Sequence, residues 1–63
     1  MNISKEKFML AMARAQLSRD ELAKEAGLSP VSITNLLWRG RCKPATAGKL
    51  AKALGVDVTE IIE

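Results

Sequence analysis

The sequence predicts an all-α fold, a compact bundle of five helices in a single domain over residues 1–63. A helix-start signature occurs three times: a Ser or Asp that caps free backbone N–H groups, with one apolar residue just before it and another four positions after it. Three glycines that follow stretches of helical apolar spacing supply the left-handed conformation that ends a helix. These glycines are Gly27, Gly40 and Gly55.

The first two helices are predicted from their caps. Ser4 caps the first helix, which continues to about Ala15 with an apolar stripe along one face. Ser18 caps the second helix, and Glu21, three residues later, completes a capping box. The stripe of the first helix consists of Phe8, Met12 and Ala15.

The third helix is expected over residues 29–39. Ser29 caps it, and Pro30 occupies the first helical position, where the missing N–H costs nothing. Only Gly27 and Leu28 stand between the second helix and this cap, so the two helices are joined by a sharp turn. This arrangement predicts a helix-turn-helix.

Two further helices complete the predicted bundle. Pro44 opens the fourth helix, and Asp57, with Glu60 as its capping-box partner, opens a short fifth helix that continues to the C-terminus. Gly48 lies inside the fourth helix, where it costs about 1 kcal/mol relative to Ala. A close approach of the backbone to a neighbouring element or to a phosphate would explain this glycine.

One face of the third helix is free of charge. The helix buries a stripe centred on Ile33, and at 100° per residue the opposite face carries only uncharged side chains. These are Val31, Asn35 and Trp38, with Thr34 at the flank. A solvated helix normally carries Lys and Glu there, so this face is expected to contact a partner.

The net charge of +3 is distributed unevenly along the chain. Residues 1–25 carry five basic and four acidic side chains, whereas residues 26–56 carry five basic and no acidic ones. Residues 57–63 carry three acidic side chains and no basic ones. The acid-free stretch indicates a polyanionic partner such as nucleic acid, although charge alone is equally compatible with a solvated basic face.

Composition argues against several other classes. The chain has no His and one Cys, so it lacks the residues of most zinc sites and of Cys–His or Ser–His pairs. We therefore predict no enzyme activity, no cofactor and no small-molecule ligand. Cys42 has no disulfide partner in the chain, and a reduced loop cysteine is favoured over a reactive thiolate. The apolar run from Phe8 to Ala13 is too short for a signal-peptide core or a membrane span, so a cytoplasmic location is expected.

The chain resembles the helix-turn-helix repressors of the lambda repressor and Cro type, the XRE-type regulators. The resemblance covers about residues 4–62. It rests on Leu17-Ser18-x-x-Glu21-Leu22-Ala23-x-x-x-Gly27-Leu28-Ser29, on Ile33 and Leu36, on Gly40-x-x-x-Pro44 and on Leu50-Ala51-Lys52-Ala53-Leu54-Gly55-Val56. Gly40 lies seven residues after Ile33, one residue further than is usual in the family.

The resemblance implies a sequence-specific transcriptional regulator, a repressor, that binds double-stranded operator DNA as a homodimer. The third helix would lie in the major groove, with the second helix across the DNA backbone. Base contacts would be made by Pro30, Val31, Thr34 and Asn35. Contacts with the DNA backbone would be made by Ser18, Arg19, Ser29, Trp38, Arg39, Arg41, Lys43 and Lys49.

The same residues have other interpretations. Ser18 and Ser29 cap helices whether or not DNA binds, and Asn35 is compatible with an ordinary exposed polar position. Trp38 is compatible with packing against the loop after the third helix. The cations of that loop, Arg41 and Lys43, are compatible with a solubilising role only. The rival function is that of a protein-interaction module of the same fold, such as an antitoxin or anti-repressor.

The dimer contact is expected at the fifth helix. Ile61 and Ile62 are adjacent there, so they lie 100° apart on a helix. One of them is therefore expected to face the core while the other stays partly exposed.

Overall fold

The computed structural model describes all 63 residues and consists of four α-helices followed by one 3-10 turn. The elements are α1 (Lys5–Ala15), α2 (Arg19–Ala26), α3 (Pro30–Arg39), α4 (Pro44–Leu54) and the 3-10 turn Val58–Glu60. The all-α class is confirmed, and the first four helices begin and end where the caps predict. None of these helices is long and apolar enough to cross a membrane.

Side-chain caps fix the starts of the first three helices. Ser4, Ser18 and Ser29 each accept a hydrogen bond from the backbone N–H three residues further on. The backbone N–H of Ser18 also donates to Glu21 Oε1 at 2.9 Å, which completes the predicted capping box. This bond lowers the pKa of the Glu21 carboxyl, because the Ser18 N–H stabilises the ionised form. The Ser29 cap directly follows the turn between α2 and α3 and fixes the residue at which α3 begins.

The predicted fifth helix is wrong, so the bundle contains four helices. Asp57 and Glu60 do form a capping box, but the segment ends at Glu60 after a single 3-10 turn. The residues that follow pair instead with the start of the chain. Ser4 N donates to Ile61 O at 3.0 Å, and Glu63 N donates to Asn2 O at 3.1 Å. These backbone bonds replace those that a longer helix would make.

Residues 1–3 form an extended segment between the C-terminal residues and the α3–α4 loop. Isolated antiparallel bridges join Asn2 to Arg41 and Ile3 to Ile62. Ile3 N donates to Gly40 O at 2.7 Å. The loop that carries Arg41 is therefore held to the body of the protein by backbone hydrogen bonds, an arrangement for which the sequence showed no signal.

The core lies where all five elements meet. Its largest fully buried side chains come from the four helices and from the residue after the 3-10 turn, and no polar side chain is buried with them. They are Phe8, Leu22, Ile33, Leu50 and Ile61. Each such side chain contributes about 1.5–3 kcal/mol on burial. Because α3 is anchored by its Ile33 side, its opposite side is left in solvent.

Gly48 is not explained by packing within the chain. It is exposed on α4, and a Cβ atom built on it would meet no atom of another element within 4 Å, so of the two explanations the approach to a neighbouring element is excluded. Because glycine loses more backbone entropy in a helix than alanine does, Gly48→Ala should raise the free energy of unfolding by about 0.5–1 kcal/mol. Urea unfolding measures this change, and a decrease in stability would contradict the prediction.

Candidate nucleic-acid interface

The turn between α2 and α3 is tight. Gly27 ends α2 with a φ of 72°, a left-handed conformation that favours glycine. The N–H of Leu28 then donates back to Ala23 O at 2.8 Å. Ala23 is buried, as its small side chain predicts for a point where two helices meet. The turn has the short length that a helix-turn-helix requires.

The exposed face of α3 has the predicted uncharged residues, and Arg39 lies at its edge on the side of Asn35. Ile33, Leu36 and Leu37 are buried, whereas Thr34 and Asn35 are exposed. Val31 is 67% exposed and Trp38 is 83% exposed. An indole so open to solvent is not packed against the loop after α3, so that interpretation of Trp38 is wrong. Apolar side chains exposed on an uncharged face are typical of a surface that contacts a partner.

The start of α2 touches the middle of this face. Arg19 Nη1 donates to Thr34 Oγ1 at 3.2 Å, and the Thr34 hydroxyl donates to Pro30 O at 3.1 Å. Arg19, predicted to contact the DNA backbone, and Thr34, predicted to contact bases, are therefore neighbours. Pro30 itself is the first residue of α3 and is exposed. Sequence spacing did not predict the Arg19–Thr34 bond, because it depends on how α2 packs against α3.

A concave basic surface lies along one side of α3. It contains Arg39, Arg41 and Lys43 beside Ser32 and Asn35 of α3. The one ion pair of the protein joins Arg14 to Glu60 at 3.4 Å, so these three cations have no carboxylate partner. The predicted backbone contacts at the end of α3 and in the loop after it are thus brought together next to a predicted base contact.

The remaining predicted backbone contacts are more dispersed. Ser18 and Ser29 are exposed at the starts of α2 and α3, where their side chains already accept backbone hydrogen bonds. Lys49 is exposed on α4 and does not line the concave basic surface.

The thiol of the chain, Cys42, lines the concave basic surface. Cys42 is a free, half-buried thiol, and burial raises its pKa, which favours the reduced loop cysteine over a reactive thiolate. No group of three or more His, Cys, Asp or Glu side chains is arranged to hold a metal ion. The chemistry that this surface offers is hydrogen bonding, apolar contact and positive charge.

Comparison with protein families identifies the motif. The family described as Helix-turn-helix matches residues 9–61, which include most of α1, all of α2 to α4 and the 3-10 turn. The chain belongs to the helix-turn-helix family. It is of the lambda repressor and Cro type, the XRE type. No curated protein and no solved structure matches the chain.

Membership in the helix-turn-helix family assigns a general activity to the chain. The family consists of DNA-binding regulatory domains, so the chain is a DNA-binding regulator in this general sense. In the helix-turn-helix motif the second helix is the recognition helix, which here is α3. The face of α3 described above and the cations beside it are both exposed.

Proposed function

We propose that this helix-turn-helix protein is a sequence-specific transcriptional regulator of the repressor type that binds operator DNA as a homodimer. One observation supports the proposal most directly. The recognition helix exposes an uncharged face, and next to it lies a concave surface with three cations that have no carboxylate partner. Uncharged polar and apolar groups suit base edges, and cations suit phosphates.

The bases are contacted, in this proposal, by the N-terminal half of α3. The Asn35 amide makes a bidentate pair with N6 and N7 of adenine, the Val31 side chain contacts a thymine methyl group, and the Thr34 hydroxyl bonds to either base. Pro30 packs at the entry of the helix into the groove. All four residues are exposed and lie within two turns of the start of α3.

Contacts with the phosphates set the register of the helix without distinguishing sequence. Arg39, Arg41 and Lys43 supply them from the concave basic surface, and Arg19 supplies them from the start of α2. The capping hydroxyls, the indole N–H and one lysine of α4 add further donors. These additional donors belong to Ser18, Ser29, Trp38 and Lys49.

The homodimer is part of the proposal because a protomer of this size has a single recognition helix. One protomer has one recognition helix, and two-fold dimers of this motif bind half-sites about one helical turn apart. Ile61 is fully buried and Ile62 is partly buried, which is the division that the dimer proposal needs. The contact would involve the 3-10 turn and the C-terminal residues, since no fifth helix is present.

A protein-interaction module of the same fold is the second candidate. The exposure of Val31 and Trp38 favours it, because apolar side chains suit a protein groove. The unpaired cations beside them do not, since an apolar protein groove has no need of uncompensated positive charge.

The decisive experiment selects DNA from a random duplex library with the wild-type protein and with two variants. The wild type should select an inverted repeat with half-sites about one helical turn apart. Asn35→Ala should lower affinity for the selected site by about 1–3 kcal/mol, with little effect on unrelated DNA, so that discrimination is lost at one base pair. Arg41→Ala should instead weaken binding to all sequences alike.

Three results would count against the proposal. Equal losses on specific and non-specific DNA for Asn35→Ala would show that this face of α3 does not contact bases. A selected motif without a repeat, with one protomer bound per site, would remove the dimer. Absence of any selected sequence would favour the protein-interaction module.

A further inference from the structure

The recognition helix has a second flank that also carries positive charge. A groove runs between α1 and α3, and we call it the α1 groove. It is lined by Lys5 and Met9 of α1 and by Arg19 of α2. The side contributed by α3 consists of Thr34, Leu37 and Trp38. The α1 groove and the concave basic surface lie on opposite sides of Ile33 around the helix. The groove takes residues 34, 37 and 38 of α3, and the concave surface takes residues 32, 35, 36 and 39.

The α1 groove has the electrostatic character of an anion site. No carboxylate lines it, and neither Lys5 nor Arg19 forms an ion pair. The guanidinium of Arg19 is held in place by its hydrogen bond to Thr34 Oγ1 at 3.2 Å. The groove also carries exposed apolar groups, because Met9 is 55% exposed and Trp38 is 83% exposed. An occupant that matches both features carries negative charge and also offers apolar surface.

We propose that the α1 groove binds the sugar-phosphate backbone of one DNA strand, with Lys5 as a phosphate contact from α1. This proposal rests on the proposed function. A helix with side chains is about 10–12 Å across and the major groove is about 12 Å wide, so a helix placed there has one phosphate strand on each side. The concave basic surface faces one strand, and the α1 groove faces the other. Lys5 and Arg19 bind its phosphates while Trp38 and Met9 lie against the deoxyribose rings.

The test compares two lysines of the same helix. Lys7 lies two residues after Lys5 and points to a different side of α1, where its Nζ donates to Ile62 O at 3.3 Å. Lys5→Gln and Lys7→Gln therefore remove the same charge from the same helix at different places. Trp38 is the only tryptophan of the chain and lines the groove, so its fluorescence reports binding of a random-sequence DNA duplex directly.

Lys5→Gln should weaken binding about eightfold per protomer at 0.1 M salt, because one counterion fewer is released. The slope of log affinity against log salt should fall by about 0.9 per protomer. Lys7→Gln should change affinity by less than about twofold, since Lys7 does not line the α1 groove and its ammonium group is bonded to Ile62 O. Circular dichroism melting should be unchanged for both variants, because both side chains are exposed.

Each contrary outcome identifies what has failed. Equal losses for Lys5→Gln and Lys7→Gln would show that only the overall charge matters, and the α1 groove would not be a DNA site. A loss for Arg41→Ala without a loss for Lys5→Gln would overturn this inference and leave the proposed function intact. If poly-L-glutamate altered Trp38 fluorescence in a Lys5-dependent manner while DNA affinity did not depend on Lys5, the groove would instead bind an acidic protein segment. If the wild type bound no DNA, both proposals would fail together.

Discussion

Binding of the protein to duplex DNA should weaken by about 10³- to 10⁵-fold between 50 and 200 mM salt. If each protomer contacts about three to five phosphates, a dimer has a slope of log affinity against log salt of about −5 to −9. The cations that motivate this estimate are exposed and lack carboxylate partners. They are Arg39, Arg41, Lys43 and Lys49. Fluorescence anisotropy of labelled duplexes over a salt series measures the slope.

Folding serves as the control for this prediction. The single ion pair, Arg14–Glu60, has an N–O distance of 3.4 Å and side chains that are 61% and 46% exposed. Exposed pairs of this kind contribute about 0–1 kcal/mol, so the melting temperature should vary little over the same salt range. A salt slope near zero, or no binding to any DNA at low salt, would contradict the prediction and favour a protein-interaction module.

The helices could be predicted because their boundaries are local. Ser18 and Glu21 are three residues apart, and the capping box that they form needs nothing from the rest of the chain. The C-terminal segment shows the limit of that reasoning. Asp57 and Glu60 give the same local signal, yet Ser4 and Asn2 engage the residues that follow, and those bonds span almost the whole chain. A pattern read over a few residues carries no information about such pairing.

In the candidate site, too, the features that depend on local spacing can be predicted from the sequence, and those that depend on tertiary packing cannot. The uncharged face of α3 follows from the 100° spacing around Ile33, and the structure exposes the residues so predicted. Which residues of other elements join that face depends on tertiary packing. The sequence therefore does not predict the hydrogen bond between Arg19 and Thr34. Nor does it predict that Lys5 lies in the α1 groove beside α3. For Trp38 the sequence is compatible with either packing or contact, and the exposure of its side chain in the folded protein excludes packing against the loop.

Truncation of Leu36, a buried residue of α3, should lower the stability of the protein without changing its recognition of DNA. Leu36 follows Asn35 directly but is only 6% exposed and belongs to the core cluster. Leu36→Ala removes buried methyl groups and leaves a cavity, so we expect the free energy of unfolding to fall by about 2–5 kcal/mol. A domain of this size is stabilised by roughly 5 kcal/mol, so the loss is a large part of the total. Thermal and urea unfolding followed by circular dichroism measure it.

Asn35→Ala is the matched control, since its side chain is exposed and its effect on unfolding should stay within about 0.5 kcal/mol. The two variants should therefore have opposite phenotypes, one losing stability and the other losing DNA discrimination. At a temperature where Leu36→Ala remains folded, it should retain discrimination between operator and unrelated DNA, whereas Asn35→Ala should be fully folded and have lost discrimination at one base pair. If Leu36→Ala were as stable as the wild type, the buried stripe of α3 would be assigned to the wrong residues. If Asn35→Ala unfolded the protein, α3 would present a different face to DNA, because buried and exposed positions on a helix are separated by only 100° per residue.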